Sequence, residues 1–273
     1  MSRPVLRRLA AASALLAACA AALAHDSWLS PGAEPAGPGL LRVELAVGAH
    51  FPVRDPAVAA ASITRAACVE PQDREPRALL PREEHDRHVE LRARADAARG
   101  VACWAELRAH EVTLTPEVVQ GYFAEIRPPE AARQLWAQQL ARGVAWRESY
   151  RKFLRMETVP AAAAVDGAGL EVLRRPRGLA MEILPVGTEI LQAGRPAAFQ
   201  VLLDGRTLAG QWVQMVSERH TQGVWRQTDA QGTVREALPF GGQWLLRATH
   251  LEPPVQDSQP WRSRFATLVV NVR

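Results

Sequence analysis

The segment LRVELAV, residues 41–47, decides the fold class, because its apolar and polar side chains alternate. Such a period of two places one face of a strand in a core and the other face toward water. The segments HVELR, residues 88–92, and VACWAEL, residues 101–107, continue this pattern. Stretches rich in proline and glycine separate the three runs. We therefore predict an N-terminal β domain over residues 25–115.

The middle of the chain changes from a strand period to a helical one. Pro116 follows a threonine, and this pair suits the cap and first turn of a helix. Pro129 opens a second run, and residues 146–157 form a third with apolar side chains at helical spacing. We predict a helical segment over residues 116–158 that covers one edge or end of the N-terminal sheet. The alanine- and glycine-rich residues 159–169 predict a linker.

The C-terminal part returns to short strands separated by turns. Asp204 and Gly205 form a turn after one apolar strand, and residues 242–248 and 265–270 are further strand-like runs. Short strands at regular turn spacing are typical of a small antiparallel sandwich, as in immunoglobulin-like domains. The sequence thus predicts a mainly β fold with two sandwich-like domains, the second over residues 170–273.

The first 24 residues have the order of a secretory signal peptide. Arg3, Arg7 and Arg8 precede an apolar, alanine-rich run that ends in small residues. We expect cleavage after Ala24 and export to the periplasm, and no later segment is long enough to span a membrane. A rival lipobox ends at Cys19 and would give a lipid-anchored protein. The apolar run continues past that cysteine, which favours the cleaved, soluble form.

Two cysteines, Cys68 and Cys103, remain after the predicted cleavage. A pair of cysteines in an oxidising compartment predicts one disulfide. The alternative is two buried free thiols. A cysteine-based metal site is disfavoured, because the chain has no CxxC spacing.

The charge of the chain gives no support for binding to nucleic acid. The formal net charge is +4, from 33 basic and 29 acidic residues. It falls to +1 once the three arginines of the signal segment are removed. Lys152 is the only lysine, and the arginines interleave with acids instead of forming a dense basic stripe. We predict no nucleic-acid partner.

Cleavage after Ala24 would make His25 the first residue of the exported protein. Its α-amino group and imidazole would then close a chelate ring on a soft or borderline metal ion, which an internal histidine cannot do alone. One more imidazole would complete a three-nitrogen set suited to Cu(II) or Ni(II). The alternative is a histidine that only adjoins the cleavage site and packs against Trp28.

Two further histidines are the candidates to complete this metal site. His250 ends a predicted strand beside Glu252, and His50 follows a strand. We expect His250 as the second ligand and His50 as a third, with Asp26 and Glu252 orienting a ligating imidazole. The alternatives are a capping or surface role for His250 and a plain loop position for His50.

The remaining histidines carry weaker signals. His85 and His88 lie in the charged run EEHDRH, which is typical of a solvated face. His220 lies in a predicted loop, and His110 has no partner that the sequence identifies.

The chain lacks the motifs that mark common enzyme classes. No GxSxG elbow, HExxH pair or phosphate-binding loop is present. We therefore predict that the protein is not an enzyme. Its tryptophans lie in or beside apolar runs and are expected in the core, with an exposed sugar-stacking platform as the alternative.

Several short segments are each weakly specific alone. They are HDSWL at 25–29, VGAHFP at 47–52, RESYRKF at 147–153, LDGRTLAG at 203–210, TDAQG at 228–232, GQWL at 242–245 and ATHLEP at 248–253. Their order and spacing across nearly the whole exported chain resemble one bacterial family, the domain-of-unknown-function family DUF4198.

The resemblance implies a secreted protein whose C-terminal sandwich is similar to transthyretin-like domains or collagen-adhesin B-type repeats. The family has long been labelled as a periplasmic component of nickel or cobalt uptake, so the resemblance also implies a link to metal uptake. Together with His25, it leads us to expect a periplasmic protein that binds nickel, cobalt or copper. The expected partner is a metal transporter or an outer-membrane receptor.

Two alternatives to this function stay open at the level of sequence. One is a non-catalytic envelope interaction module that binds a transporter, a receptor or a polysaccharide without a metal. Histidines dispersed over the fold and a flat face bearing tryptophans would favour it. The other is a copper oxidase built on the histidine terminus, for which the sequence shows no substrate groove.

Overall fold

The computed structural model describes residues 25–32, 37 and 39–273. The predicted signal segment, residues 1–24, and the lipobox cysteine Cys19 lie outside the described residues. The described part is mainly β and sandwich-like, which confirms the predicted fold class.

The described residues form seventeen strands and three α-helices. The strands before the first helix are β1 (Asp26–Pro31), β2 (Leu41–Gly48), β3 (Ile63–Val69), β4 (Arg77–Ala78), β5 (Leu80–His85), β6 (His88–Ala93), β7 (Val101–Leu107) and β8 (His110–Leu114). The next elements are α1 (Pro116–Ile126), α2 (Glu130–Ala141), β9 (Trp146–Thr158) and α3 (Gly167–Arg174). The remaining strands are β10 (Met181–Val186), β11 (Pro196–Leu203), β12 (Arg206–Thr207), β13 (Trp212–Ser217), β14 (His220–Gln227), β15 (Thr233–Ala237), β16 (Gly242–Glu252) and β17 (Trp261–Val272).

Three sheets are stacked in layers. Among the described residues, nine strands form a central sheet in the order β14, β13, β16, β17, β9, β7, β3 and β4, with β8 beside β9. Strands β1, β2, β6 and β5 cover one face of this sheet, and β10, β11, β12 and β15 cover the other. Two apolar cores therefore share one sheet, to which both halves of the chain contribute strands.

Strand β9 corrects the prediction of a third helix over residues 146–157. It pairs in parallel with β17 and antiparallel with β7 and β8. Its side chains alternate between the two cores, since Phe153 packs in one and Leu154 in the other. A strand buried on both faces loses the alternation of apolar and polar residues. The helical spacing of its apolar side chains was therefore misleading.

The two prolines do open helices where the sequence predicts them. Pro116 is the first residue of α1, and α2 begins directly after Pro129. Proline suits these positions because its φ is preset and the missing N–H would be unpaired in a first turn. Helix α3 begins within the predicted linker, and Asp166 caps it by accepting a hydrogen bond of 2.8 Å from the Gly169 N–H. None of the described helices has the length and apolar character that crossing a membrane requires.

An aromatic cluster holds α1 and α2 against the start of β9. The rings of Trp146 and Trp261 stack with centroids 4.5 Å apart. Between them and α1, the buried Glu148 accepts hydrogen bonds from Tyr122, Trp146 and Ser263. Burial raises the pKa of Glu148, and the three donors oppose that rise. The helices are thus fixed over one end of the central sheet.

The structure confirms the predicted disulfide between Cys68 and Cys103. It joins the neighbouring strands β3 and β7, with the two Cα atoms 4.1 Å apart. The two cysteines are separated by 35 positions. A closed loop of this length corresponds to about 4 kcal/mol of stabilisation when chain entropy alone is considered.

Candidate functional site

A cavity of about 490 Å³ lies beside the start of β1, between the sheet of β1 and β2 and the edge of the central sheet. Its polar lining includes His25, Asp55, His110, Tyr150 and Lys152, and apolar side chains form much of the remaining wall. We call this space the His25 cavity. Its size is in the range of pockets that bind small organic molecules.

Asp55 is the closest charged partner of His25 in the described part of the chain. The Nδ1 atom of His25 lies 3.0 Å from Oδ2 of Asp55. The same oxygen accepts a 3.0 Å hydrogen bond from the Ala49 N–H, and the Asp55 N–H donates to the carbonyl of Val47 at 2.8 Å. The loop after β2 therefore folds back on the end of that strand and presents Asp55 to the first residue described.

Lys152 lies beneath His25. Its Nζ donates to the backbone carbonyl of His25 at 2.6 Å and to Oγ of Ser27 at 3.4 Å. The side chain is buried, with a relative exposure of 7%. The only lysine of the sequence therefore fixes the start of β1 against the central sheet.

The surroundings of Lys152 disfavour its charge. Burial lowers its pKa to about 8, and the carboxylate of Asp26 opposes this shift. The ring centroids of Tyr150 and Phe265 lie 5.7 and 5.8 Å from Nζ, which is within the range of a cation–π contact. Lys152 is thus an ammonium that titrates near physiological pH at the wall of an open cavity.

His110 lines the same cavity. It lies directly opposite Tyr150 in the pairing of β8 and β9. The two rings stack with centroids 5.6 Å apart. The histidine for which the sequence offers no partner therefore shares a cavity with His25.

His250 lies on the other face of the central sheet. His250 lies two residues after Ala248 on β16, so both side chains are on the same face of the central sheet, the face that packs against β10 and β11. Lys152 is on the opposite face, toward β1. The Nε2 atom of His250 lies 3.8 Å from a carboxylate oxygen of Glu252, the neighbour that the sequence predicts. Burial lowers the pKa of His250, and Glu252 opposes the shift. The structure therefore does not bring His250 to His25.

His50 and Asp26 also occupy positions other than those expected. His50 is exposed in the loop after β2 and is not among the residues that line the cavity. Asp26 is buried and pairs with the guanidinium of Arg247 instead of orienting an imidazole. Of the three predicted metal ligands, only His25 lines the cavity.

The cavity residues that sequence reasoning missed depend on contacts between distant segments. Asp55 reaches the cavity because the loop after β2 folds back, and His110 reaches it because of the register of β8 against β9. Lys152 left a readable signal, because it is the only lysine of the sequence. Because β9 was wrongly predicted as a helix, the sequence did not indicate on which face of the sheet the side chain of Lys152 lies.

A second group of ligand-type atoms lies outside the cavity lining, on strands β5 and β6. In the described part of the chain, Glu83, His85 and Glu90 present such atoms within 4.8 Å of one another. Arg42 and Arg92 already pair with the carboxylate of Glu90. Since two guanidinium groups neutralise the most buried of these acids, we assign no metal site to the cluster.

The tryptophans give no flat exposed face. Trp212 and Trp225 are half-buried, and the guanidinium of Arg127 lies 5.2 and 4.3 Å from their ring centroids. The other six are buried: Trp28, Trp104, Trp136, Trp146, Trp244 and Trp261. A platform for stacking sugars is therefore not formed by the described tryptophans.

The family described as a domain of unknown function (DUF4198) matches residues 22–252. The chain belongs to the DUF4198 family. The matched region contains every residue that lines the His25 cavity and extends to the end of β16. No curated protein matches the sequence. The family description names no activity, so the function of this DUF4198 protein is argued from the cavity.

Proposed function

We propose that this DUF4198 protein binds a transition-metal ion, namely nickel, cobalt or copper, in the periplasm. After cleavage behind Ala24, the α-amine and Nδ1 of His25 would chelate the ion, and Asp55 would supply a carboxylate oxygen. The observation that carries the proposal is the approach of His25 Nδ1 to Asp55 Oδ2 at 3.0 Å at the wall of an open cavity.

The spacing of these two atoms suits ligands of one ion. Metal–nitrogen and metal–oxygen bonds of about 2.0–2.2 Å at a right angle place the two donor atoms about 2.9 Å apart. The observed separation is 3.0 Å. A tetragonal set of nitrogen and oxygen donors is typical of Cu(II) and Ni(II), and the general affinity order favours copper. Asp55 thus takes the place in the donor set that the sequence assigned to His250.

Lys152 would act as a positioning residue for this site. Its hydrogen bond to the carbonyl of His25 fixes the residue that carries both chelating nitrogens. Preorganisation of this kind lowers the entropy that binding must otherwise remove. The imidazole of His110 lines the same cavity and is a further nitrogen donor within it.

The exposure of the site favours transfer of the ion over permanent storage. The side chains of His25 and Asp55 are 18% and 36% exposed. A metal transporter or an outer-membrane receptor could therefore approach the ion without unfolding the cavity. We propose such a partner for this protein.

The test uses protein processed to begin at His25. Cu(II) and Ni(II) are titrated by calorimetry, and the copper complex is examined by electron paramagnetic resonance for nitrogen couplings. One extra alanine before His25 removes the amine from the chelate ring that it forms with Nδ1, and Asp55→Asn replaces a carboxylate by a neutral amide. Each should weaken binding at least about tenfold.

The matched control is His250→Ala on the opposite face of the sheet, which should leave the affinity unchanged. Equal affinity in the extended and processed proteins would exclude the chelate. Loss of binding in His250→Ala alone would move the site to that residue and contradict the proposal.

A further inference from the structure

We infer that the His25 cavity also holds a small organic carboxylate with an apolar body, received by Lys152 and Arg108. The inference rests on the proposed function for the ion, and it names the chemical form of the cargo. The carboxylate would be a chelator that enters together with the metal ion.

The size of the cavity exceeds what an ion needs. A bare ion is held by donor atoms at about 2 Å and fills only the space between them. The cavity measures about 490 Å³. Pockets of about 300–1,000 Å³ with mostly apolar walls are typical of sites for small organic molecules. The volume beyond His25 and Asp55 is therefore available to an organic group.

The charges at the wall favour an anion. Lys152 has three N–H donors, and the described residues supply two acceptors, the carbonyl of His25 and the hydroxyl of Ser27. Arg108 donates one hydrogen bond to the carbonyl of Ala61 at 2.9 Å. Among the described lining residues, Asp55 is the only acid, and it pairs with His25. Within the described residues, neither Lys152 nor Arg108 thus has a carboxylate in direct contact.

The apolar side chains decide against a small inorganic anion. Val47, Val58 and Leu107 line the cavity together with Pro56 and Ala57. An apolar body packed on these side chains is removed from water, and each square ångström of buried apolar surface contributes about 25 cal/mol. A charge-assisted hydrogen bond to a partly desolvated ammonium is also stronger than one in water. A carboxylate with an aromatic or aliphatic body combines both contributions.

The first experiment measures binding of benzoate by calorimetry to metal-free protein that begins at His25. Benzamide has the same apolar body without the charge, so it should bind at least about tenfold more weakly if the cations receive the carboxylate. Lys152→Met and Arg108→Gln should each weaken benzoate by a similar factor. Arg262→Gln removes an exposed arginine outside the cavity lining and is the control.

The second experiment adds the metal and uses picolinate, an aromatic carboxylate that also chelates. Picolinate should raise the affinity of the protein for Ni(II) at least about tenfold, and Arg108→Gln should remove the gain. Arg108 is exposed, so this variant remains informative even where Lys152→Met fails to fold.

The outcomes separate the two proposals. If Ni(II) binds while benzoate does not, the carboxylate site is wrong and the metal site stands. If benzoate binds in a manner that depends on Lys152 and Arg108 while no metal binds, the carboxylate site stands and the proposed function fails. If picolinate removes Ni(II) from the protein, the joint cargo is wrong.

Discussion

Arg155 and Lys152 are both buried cations on strand β9, and they have opposite environments. Arg155 lies 3.1 Å from Glu182 and also donates to the carbonyl of Leu173 at 2.6 Å. Lys152 has only a carbonyl and a hydroxyl as hydrogen-bond acceptors in the described structure. Burial lowers the pKa of both groups, to about 10 for Arg155 and about 8 for Lys152.

The difference separates a buried ion pair that connects two secondary-structure elements, here called a structural joint, from a buried cation at a candidate site. The pair of Arg155 with Glu182 connects β9 to β10, and a second buried pair, Arg174 with Glu157, connects α3 to β9. Both acids are at most 3% exposed, so these charges are satisfied within the protein. Lys152 instead retains donor capacity at the wall of a cavity. A desolvated charge with a shifted pKa at the wall of an open pocket makes Lys152 a candidate functional residue.

The largest expected effect comes from breaking the structural joint. Arg155→Met should lower the free energy of unfolding by about 4 kcal/mol, because it leaves the carboxylate of Glu182 buried without its partner. Urea denaturation at neutral pH measures the loss. The double variant Arg155→Met/Glu182→Gln should recover much of it, since no unpaired charge remains. A single variant as stable as the parent would show that the pair is not a joint.

The next effect is the pH dependence that the desolvated Lys152 gives to the free energy of unfolding. The pKa of Lys152 is about 8 in the folded protein and about 10.4 in an unfolded chain. Between these values the unfolded chain binds more protons, so the free energy of unfolding contributed by Lys152 rises with pH. The gain should reach about 2.5 kcal/mol between about pH 7 and about pH 10.

This gain is read as a difference between the parent protein and Lys152→Met, both denatured in urea across that range. The subtraction removes the titration of the tyrosines, whose pKa values are raised by burial. Parallel pH profiles for the two proteins would mean that Lys152 is not desolvated.

The smallest effect concerns another buried charge on β9, Glu148, which neutral donors satisfy. Tyr122→Phe removes one of its three hydrogen bonds without opening a cavity. We expect a loss of about 1 kcal/mol in the free energy of unfolding, because two donors remain. Thermal unfolding measures it, with Tyr150→Phe as the control, since Tyr150 is not among the hydrogen-bond donors to Glu148. A loss as large as that of Arg155→Met would place Glu148 among the structural joints.

Much of the fold followed from local patterns. The period of two in residues 41–47 predicted a strand, and Pro116 and Pro129 predicted two helix starts that the structure has. The pairing of Cys68 with Cys103 followed from their number. Strand β9 did not follow, because burial on both faces removes the alternation by which a strand is recognised.

Sequence determined the elements that local physical chemistry controls: the β character of both halves, the two helices that open at prolines, and His25 as the candidate chelating residue. Tertiary structure decided which distant residues meet it. The loop after β2 brings Asp55, the register of β8 against β9 brings His110, and the central sheet places His250 on its opposite face. The reason is that a strand's own pattern fixes which side chains share a face, whereas the partner of each face is set by packing between segments far apart in the chain.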